Sequence, residues 1–354
     1  MSAPRLRSDL QALGGYHSAQ VDVEVRLNTN ESPFGPPASF VSRLQEAIGE
    51  LDLNRYPDRE ALALRSMIAE SHRVAPDRIF CANGSNEVLQ SLLLAFGGTG
   101  RSAMVFEPTY ALHSHISRVT GTAVITKSRG SSFSLDPDEV AAAIRHDDPS
   151  MVFLCSPNNP TGGLVPNSVV VAALEASSGL VVMDEAYGQF ANESALELAD
   201  HRDADRLVVV RTFSKTWALA GVRLGYLVGA PEVVNACFTV ALPYHLSSLT
   251  QTAGCLVMAH EVEMLETVAL IASERDRLMT ALEGMPLEVW PSQANFILFR
   301  PLATSGFDLW NALVERSILV KDCTSWPMLE NCLRVTVGTP SENDRFINAM
   351  REIL

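Results

Sequence analysis

From about residue 78 to 229 the chain alternates short β-rich apolar runs with helix-like segments, and few folds accommodate that rhythm. The strand candidates are "RIFCA", "AMVFE", "AVITK", "MVFLC", "LVVMD", "RLVVV" and "LGYLVG". Between them lie stretches such as "NEVLQSLLLAF" and "DPDEVAAAIRH", with helical periodicity and acidic starts. Runs apolar on both faces belong to a sheet covered on both sides. The spacing therefore predicts an α/β region with a mostly parallel sheet.

The remainder is organised differently. Residues 261–283, "EVEMLETVALIASERDRLMTALE", read as a charged amphipathic helix. The strand "NFILF", the helix "FDLWNALVERS", the strands "ILVKD" and "CLRVTVG" and the helix "SENDRFINAM" follow, an order that suits a smaller α+β domain. The opening residues carry the turn-rich "NTNESPFGPP" and no obvious strand, so they read as an arm packed on something else. The expected division is an arm over 1–45, which packs with the small domain and a partner subunit, a large domain over 46–260 and a small domain over 261–354. With 354 residues, 47% of them hydrophobic, the chain has material for one large core and a smaller one.

Composition excludes several function classes. A net charge of −14 argues against nucleic acid as a partner, which needs a basic face. No run approaches the length of a membrane span, and "MSAPRLRSDLQALGGYHS" lacks the apolar segment of a secretory signal. A soluble, cytoplasmic protein is expected. The six cysteines form no CxxC pair and the eight histidines no HExxH set, so reduced thiols and no metal are expected. His113 and His115, two apart, could share one face of a strand.

Five segments could carry chemistry, all at strand or segment ends, where open α/β sheets bind ligands. In "CANGSNEVLQSLLLAF", Gly84 permits a tight turn and Ser85 can cap a helix whose free N–H groups suit a phosphate. In "SPNNPTGG", Asn159 is restrained by the following proline and could hold its amide toward a ligand. In "LVVMDEAYGQF", Asp184 ends an apolar run and needs a cationic or donor partner, and a turn could bring Tyr187 beside it. "RTFSKTWALAGVRLGY" gathers Thr212, Ser214, Lys215 and Arg223, with a lysine carried inward from an apolar strand. Arg334 lies in the strand "CLRVTVG". A lysine nucleophile, a buried carboxylate, a phenol, an amide, a phosphate cup and two arginines fit pyridoxal 5′-phosphate. Lysine would bind its aldehyde, the acid its pyridine nitrogen, and polar groups its ring oxygen.

In order along residues 25–347, "LNTNESPFGPP", "RYPD", "GSNE", "EPTY", "SPNNPTG", "DEAY", "RTFSKTWALAGVRLGY", "PYHLSSLTQ" and "LRVTVGTPSEND" resemble the fold-type I pyridoxal-phosphate aminotransferases. Within them the likeness is to the histidinol-phosphate aminotransferases. That resemblance implies a large, mostly parallel-sheet domain with a smaller α+β domain. It implies transamination of L-histidinol phosphate with 2-oxoglutarate, giving imidazole acetol phosphate and glutamate. Lys215 would carry the cofactor and shuttle the substrate proton, with Asp184 on the pyridine nitrogen. Tyr187 and Asn159 would bond the ring oxygen, and Tyr110 would stack on the ring. Ser85, Asn86, Thr212, Ser214 and Arg223 would hold the phosphate, with Tyr56 reaching that of a second subunit in a homodimer. Arg334 would clamp the substrate anion, and Tyr16, Asn30 and Tyr244 would line its pocket. The chain departs from the family at Lys321, where arginine is common beside the substrate phosphate, and at His113, where a second aromatic is common. Aromatic aminotransferases and threonine-phosphate decarboxylases share most of these motifs.

Overall fold

In the computed structural model, which describes residues 5–11, 13–15 and 19–354, the alternating middle of the chain forms one seven-stranded sheet. In chain order, β1 (Val25–Leu27), α1 (Ala38–Gly49) and α2 (Leu62–His72) come first. Then β2 (Ile79–Ala82), α3 (Ser85–Phe96), β3 (Ser102–Glu107), α4 (Ala111–Val119), β4 (Ala123–Ser128), α5 (Pro137–Asp147) and β5 (Met151–Cys155) alternate. They are followed by α6 (Asn167–Ala176), β6 (Leu180–Asp184), β7 (Leu207–Thr212) and β8 (Gly225–Val228). Next come α7 (Pro231–Val240), α8 (Ser248–Met258), α9 (Glu261–Glu283), β9 (Leu287–Val289) and β10 (Phe296–Pro301). The chain closes with α10 (Gly306–Glu315), β11 (Ile318–Asp322), β12 (Leu333–Thr336) and α11 (Pro340–Ile353).

The large sheet runs β2-β8-β7-β6-β5-β3-β4 and is parallel except for β8, which is antiparallel to both neighbours. Its central strands explain the continuous apolar runs, because successive residues enter opposite cores. Val105, Phe153, Val182 and Val210 pack on one face with α3 and α7, while Met104, Val152, Val181 and Met183 pack on the other with α5 and α6. Helix starts follow local chemistry. The Asp136 side chain accepts from the amides of Asp138 and Glu139 ahead of Pro137, and Thr339 with Glu342 forms a reciprocal cap on α11.

A second sheet, β1-β11-β12-β10-β9, is antiparallel apart from its β1–β11 edge. Leu27, Ile297, Phe299, Val320, Val335 and Phe346 fill the core under α9 and α11. The expectation that the N-terminal stretch has no strand of its own is corrected here: Val25 and Leu27 pair with Ile318 and Val320. Three residues give too short a periodicity to read, and the partner strand lies far along the chain. His113 and His115 also depart from expectation, for they stand on α4 and not on a strand. No helix among the described residues is long and apolar enough to cross a membrane.

Candidate active site

The carboxyl ends of β5, β6 and β7, the turns into α3 and α4, and side chains from β11 and β12 enclose a cavity of about 370 Å³. This is where a parallel sheet leaves its strand ends open. Asp184, the last residue of β6, lies at 1% exposure. Its Oδ2 is 2.9 Å from His113 Nε2, and its Oδ1 accepts from the Ala186 amide at 3.1 Å. His113 is fully buried and its ring stacks on Phe153 at 4.9 Å. Sequence reasoning treated this histidine as a departure from an aromatic and as a strand neighbour of His115, not as a partner of Asp184. The missed signal was its place three residues after Tyr110: on a helix that spacing turns it to the same side.

Lys215 follows β7, and its Nζ donates to the Thr29 carbonyl at 2.9 Å. Burial, with Arg334 and Arg223 nearby, holds its pKa down at about 8 despite the opposing influence of Glu31. The Tyr187 hydroxyl accepts from Asn30 Nδ2 at 2.9 Å, and burial raises its pKa above the usual phenol range. Asn30 is itself fixed by Thr336, which donates to Oδ1 and accepts from the backbone amide, both at 3.0 Å.

The anion cup combines a helix start with side chains. Gly84, at φ +82°, is the N-cap of α3, which corrects the expectation that Ser85 caps the helix: Ser85 is its first residue and lines the cavity. A Cβ on Gly84 would press on the Arg223 guanidinium, and one on Gly225 would run into the Ser85 amide. Thr212 and Ser214 hydrogen-bond side chain to side chain at 3.0 Å, and Arg223 Nη1 donates to Ser214 Oγ at 3.3 Å. Asn86 also lines the cavity and accepts from the Tyr110 hydroxyl at 3.0 Å. Helix amides, hydroxyls and a guanidinium around one space suit a phosphate.

A cation pair stands in the wall. Arg334 on β12 is 4% exposed, donates through Nη1 to Asn159 Oδ1 and through Nη2 to the Asn28 carbonyl at 3.0 Å, and leaves Nε buried without a hydrogen-bond partner. An isolated strand arginine is usually a surface residue; this one is core. Directly across the β11–β12 ladder sits Lys321, half-buried, with its pKa lowered mainly by burial and also by Arg334. Like charges facing across a sheet repel, so an anionic ligand between them would relieve a cost built into the fold.

Of the sixteen residues singled out from sequence, thirteen line this cavity: Ser85, Asn86, Tyr110, Asn159, Asp184, Tyr187, Thr212, Ser214, Lys215, Arg223, Asn30, Lys321 and Arg334; Tyr56 and Tyr244 do not. These two tyrosines stack on each other at 4.5 Å, with Tyr56 81% exposed. Tyr244, expected to line the substrate pocket, is thus not among the residues that line this cavity within one chain. Tyr16 lies outside the described residues. Among the described residues no group of three or more His, Cys, Asp or Glu could hold a metal ion.

The donor set fits pyridoxal 5′-phosphate. The cup beside Gly84 and Gly225 has room and positive charge for the phosphate, Asp184 offers an acceptor to a protonated ring nitrogen, and Lys215 is an amine whose pKa is lowered to about 8. Residues 22–350 match the family described as aminotransferase class I and II. A histidinol-phosphate aminotransferase of Frankia casuarinae is 44% identical, covering 99% of this chain and 90% of its own. That of Mycobacterium avium is 42% identical, covering 98% and 88%. The crystal structure of histidinol-phosphate aminotransferase from Sinorhizobium meliloti in complex with pyridoxal-5′-phosphate shares the fold at a TM-score of 0.89, with 23% identity over 100% of this chain and 99% of that one.

Proposed function

The chain belongs to the class I and II aminotransferases, and from that premise we propose that it transfers the amino group of L-histidinol phosphate to 2-oxoglutarate, giving imidazole acetol phosphate and glutamate in histidine biosynthesis. The observation that carries this reading is the meeting, in one cavity, of the Lys215 amine, the Asp184 carboxylate and the Arg334–Lys321 cation pair. When bound, pyridoxal 5′-phosphate supplies an aldehyde that takes up amino groups and a ring that accepts electron density from the substrate α-carbon.

The chain's own residues supply the rest. Ser85, Asn86, Thr212, Ser214 and Arg223 would hold the phosphate, and Tyr110 would lie on the ring. Asp184, steadied by His113, would keep the ring nitrogen protonated. Asn159 gives its side-chain oxygen to Arg334, which leaves its NH₂ group for the ring oxygen alongside the Tyr187 hydroxyl. Lys215 would hold the cofactor at rest and move the proton from the substrate α-carbon through Nζ, a task for which an amine with a pKa of about 8 is well matched. Arg334 would grip the substrate's phosphate or the carboxylate of its co-substrate in turn, with Lys321 adding a second charge, and Asn30 would line the pocket.

We also propose a cytoplasmic homodimer with shared sites. Tyr56, exposed and stacked on Tyr244, would complete the cofactor-phosphate cup of the neighbouring protomer, and Tyr244 would sit at that junction. An arm over 1–45, a large domain over 46–260 and a small domain over 261–354 remain our division of the chain; the seven-stranded sheet ending at β8 and the small sheet resuming at β9 support it. The test is a panel of amino donors given to the purified holoenzyme with 2-oxoglutarate. Histidinol phosphate should exceed phenylalanine, tyrosine and threonine phosphate in kcat/KM by at least tenfold. Equal or better use of phenylalanine or tyrosine would reassign the enzyme to aromatic transamination, and carbon dioxide from threonine phosphate to decarboxylation.

A further inference from the structure

Behind the cavity lies a buried cation that the chemistry above does not use. Arg129, just past β4, is 4% exposed, and among the described residues no carboxylate is within ion-pair distance of it. A buried guanidinium without a directly paired carboxylate is costly, and burial lowers its pKa to about 10 against the opposing influence of Cys155 and Glu107. Each of its three nitrogens makes one hydrogen bond that ties loops together. Nε donates to the Phe106 carbonyl at 3.1 Å, Nη1 to the Phe133 carbonyl at 3.2 Å, and Nη2 to Asn158 Oδ1 at 3.1 Å.

Asn158 is fully buried and saturated. Its Oδ1 also accepts from Thr109 Oγ1 at 2.9 Å, and its Nδ2 donates to the Pro108 carbonyl at 3.0 Å and to Thr161 Oγ1 at 2.8 Å. Its backbone closes the turn on both sides, with its amide donating to the Gly163 carbonyl and its carbonyl accepting from the Gly162 amide, both at 2.7 Å. The next residue is Asn159, whose side-chain oxygen accepts from Arg334. Two adjacent asparagines thus each take one buried guanidinium, Asn158 from Arg129 at the back and Asn159 from Arg334 in the cavity.

We propose that Arg129 is a positioning residue: through Asn158 it fixes the turn that presents the Asn159 amide to Arg334, and so sets the geometry of the substrate-anion clamp. A hydrocarbon side chain would pack in the same space but would leave Asn158 Oδ1 and two loop carbonyls without this donor. The proposal rests on Arg334 being that clamp, so the wild-type holoenzyme must first bind 2-oxoglutarate and lose that binding in Arg334→Ala.

The experiment compares wild type, Arg129→Met, Arg129→Lys and Asn158→Ala as holoenzymes. It measures the dissociation constant of 2-oxoglutarate by calorimetry, the KM and kcat for both substrates, and the melting temperature. Arg129→Met should weaken 2-oxoglutarate and raise both KM values by roughly tenfold, while kcat changes by less than about threefold. Arg129→Lys, which keeps the charge but cannot reach three acceptors, should fall between it and wild type. Asn158→Ala should match Arg129→Met, and the double variant should add little to either single one. If Arg129→Met is not recovered folded, Arg129→Lys and Asn158→Ala carry the comparison. Variants that melt earlier but bind 2-oxoglutarate as wild type does would overturn the proposal, leaving Arg129 a packing residue. Loss of wild-type binding on Arg334→Ala with no response to any Arg129 or Asn158 change would overturn it too, while leaving the clamp intact. No effect of Arg334→Ala would instead remove the clamp on which the proposal rests.

Discussion

Lys215 holds its proton less firmly than an exposed lysine because burial and two arginines disfavour the charge. The sign of the consequence for stability is fixed. The unfolded chain keeps the proton up to the ordinary lysine pKa of 10.5, whereas the folded cofactor-free chain releases it near 8. Below 8 both states are protonated and the fold bears the full cost; between about 8 and 10.5 the unfolded state binds more protons, so stability rises with pH. Cofactor-free Lys215→Met should thus be more stable than wild type at pH 7, by roughly 1–3 kcal/mol, with the advantage shrinking toward pH 10. Denaturant melts of the two proteins across that range check it; an advantage independent of pH would mean that packing, not charge, is responsible. The cation pair yields a second expectation. Arg334→Ala should weaken both half-reactions roughly ten- to a hundredfold, the scale of a lost charge-assisted hydrogen bond of about 1.5–3 kcal/mol. Lys321→Ala should harm histidinol phosphate more than glutamate, because a dianion gains more from a second cation, and Lys321→Arg should preserve or improve its use. Single-turnover rates of each half-reaction for the three variants decide between these outcomes; a Lys321→Ala enzyme that treats both substrates alike would remove the two-cation site.

The start of α3 shows why the element, and not only its side chains, matters. The cup depends on Gly225 of β8 touching the Ser85 amide, so Gly225→Ala must push the helix start away from the strand. Strain of that kind typically costs about 1–3 kcal/mol. It should appear as a faster loss of cofactor on dialysis, with Ser85→Ala, which removes one hydroxyl and moves no backbone, affecting retention less. Equal retention by Gly225→Ala and wild type would show that this contact does not shape the cup. Much of the element structure was legible in the sequence because apolar runs such as "MVFLC" and "LVVMD" are bounded by turns, and α9 spans the very residues its charged periodicity marked out. β1 was not legible, since three residues carry no period. Nor was the role of Gly84 as cap: a serine beside a glycine reads as the stronger N-cap, while the positive φ that decides the matter is a property of the folded turn.

At the scale of the molecule, the cavity is assembled from residues drawn from nearly the whole chain, from Asn28 to Arg334, and crosses between the two sheets. Motifs picked out side chains that line the cavity; the buried hydrogen bonds around them, His113 to Asp184 and Arg129 to Asn158, join positions with no sequence pattern between them. Tyr56 marks where one chain is insufficient. If it serves the neighbouring protomer, Lys215→Ala mixed with an inactive Tyr56→Phe should regain up to about a quarter of wild-type activity once subunits have exchanged, since random pairing restores one site in half the dimers. No recovery after proven exchange would count against the shared site. The claim at the centre of the account is that nitrogen passes from histidinol phosphate to the enzyme and then to 2-oxoglutarate. The direct measurement mixes holoenzyme with one equivalent of ¹⁵N-labelled histidinol phosphate in the absence of 2-oxoglutarate, and follows the label. The account predicts one equivalent of keto product with the label retained on the enzyme, and labelled glutamate only after 2-oxoglutarate is added. Release of the label as ammonia, or recovery of unreacted labelled histidinol phosphate with no keto product, would contradict it.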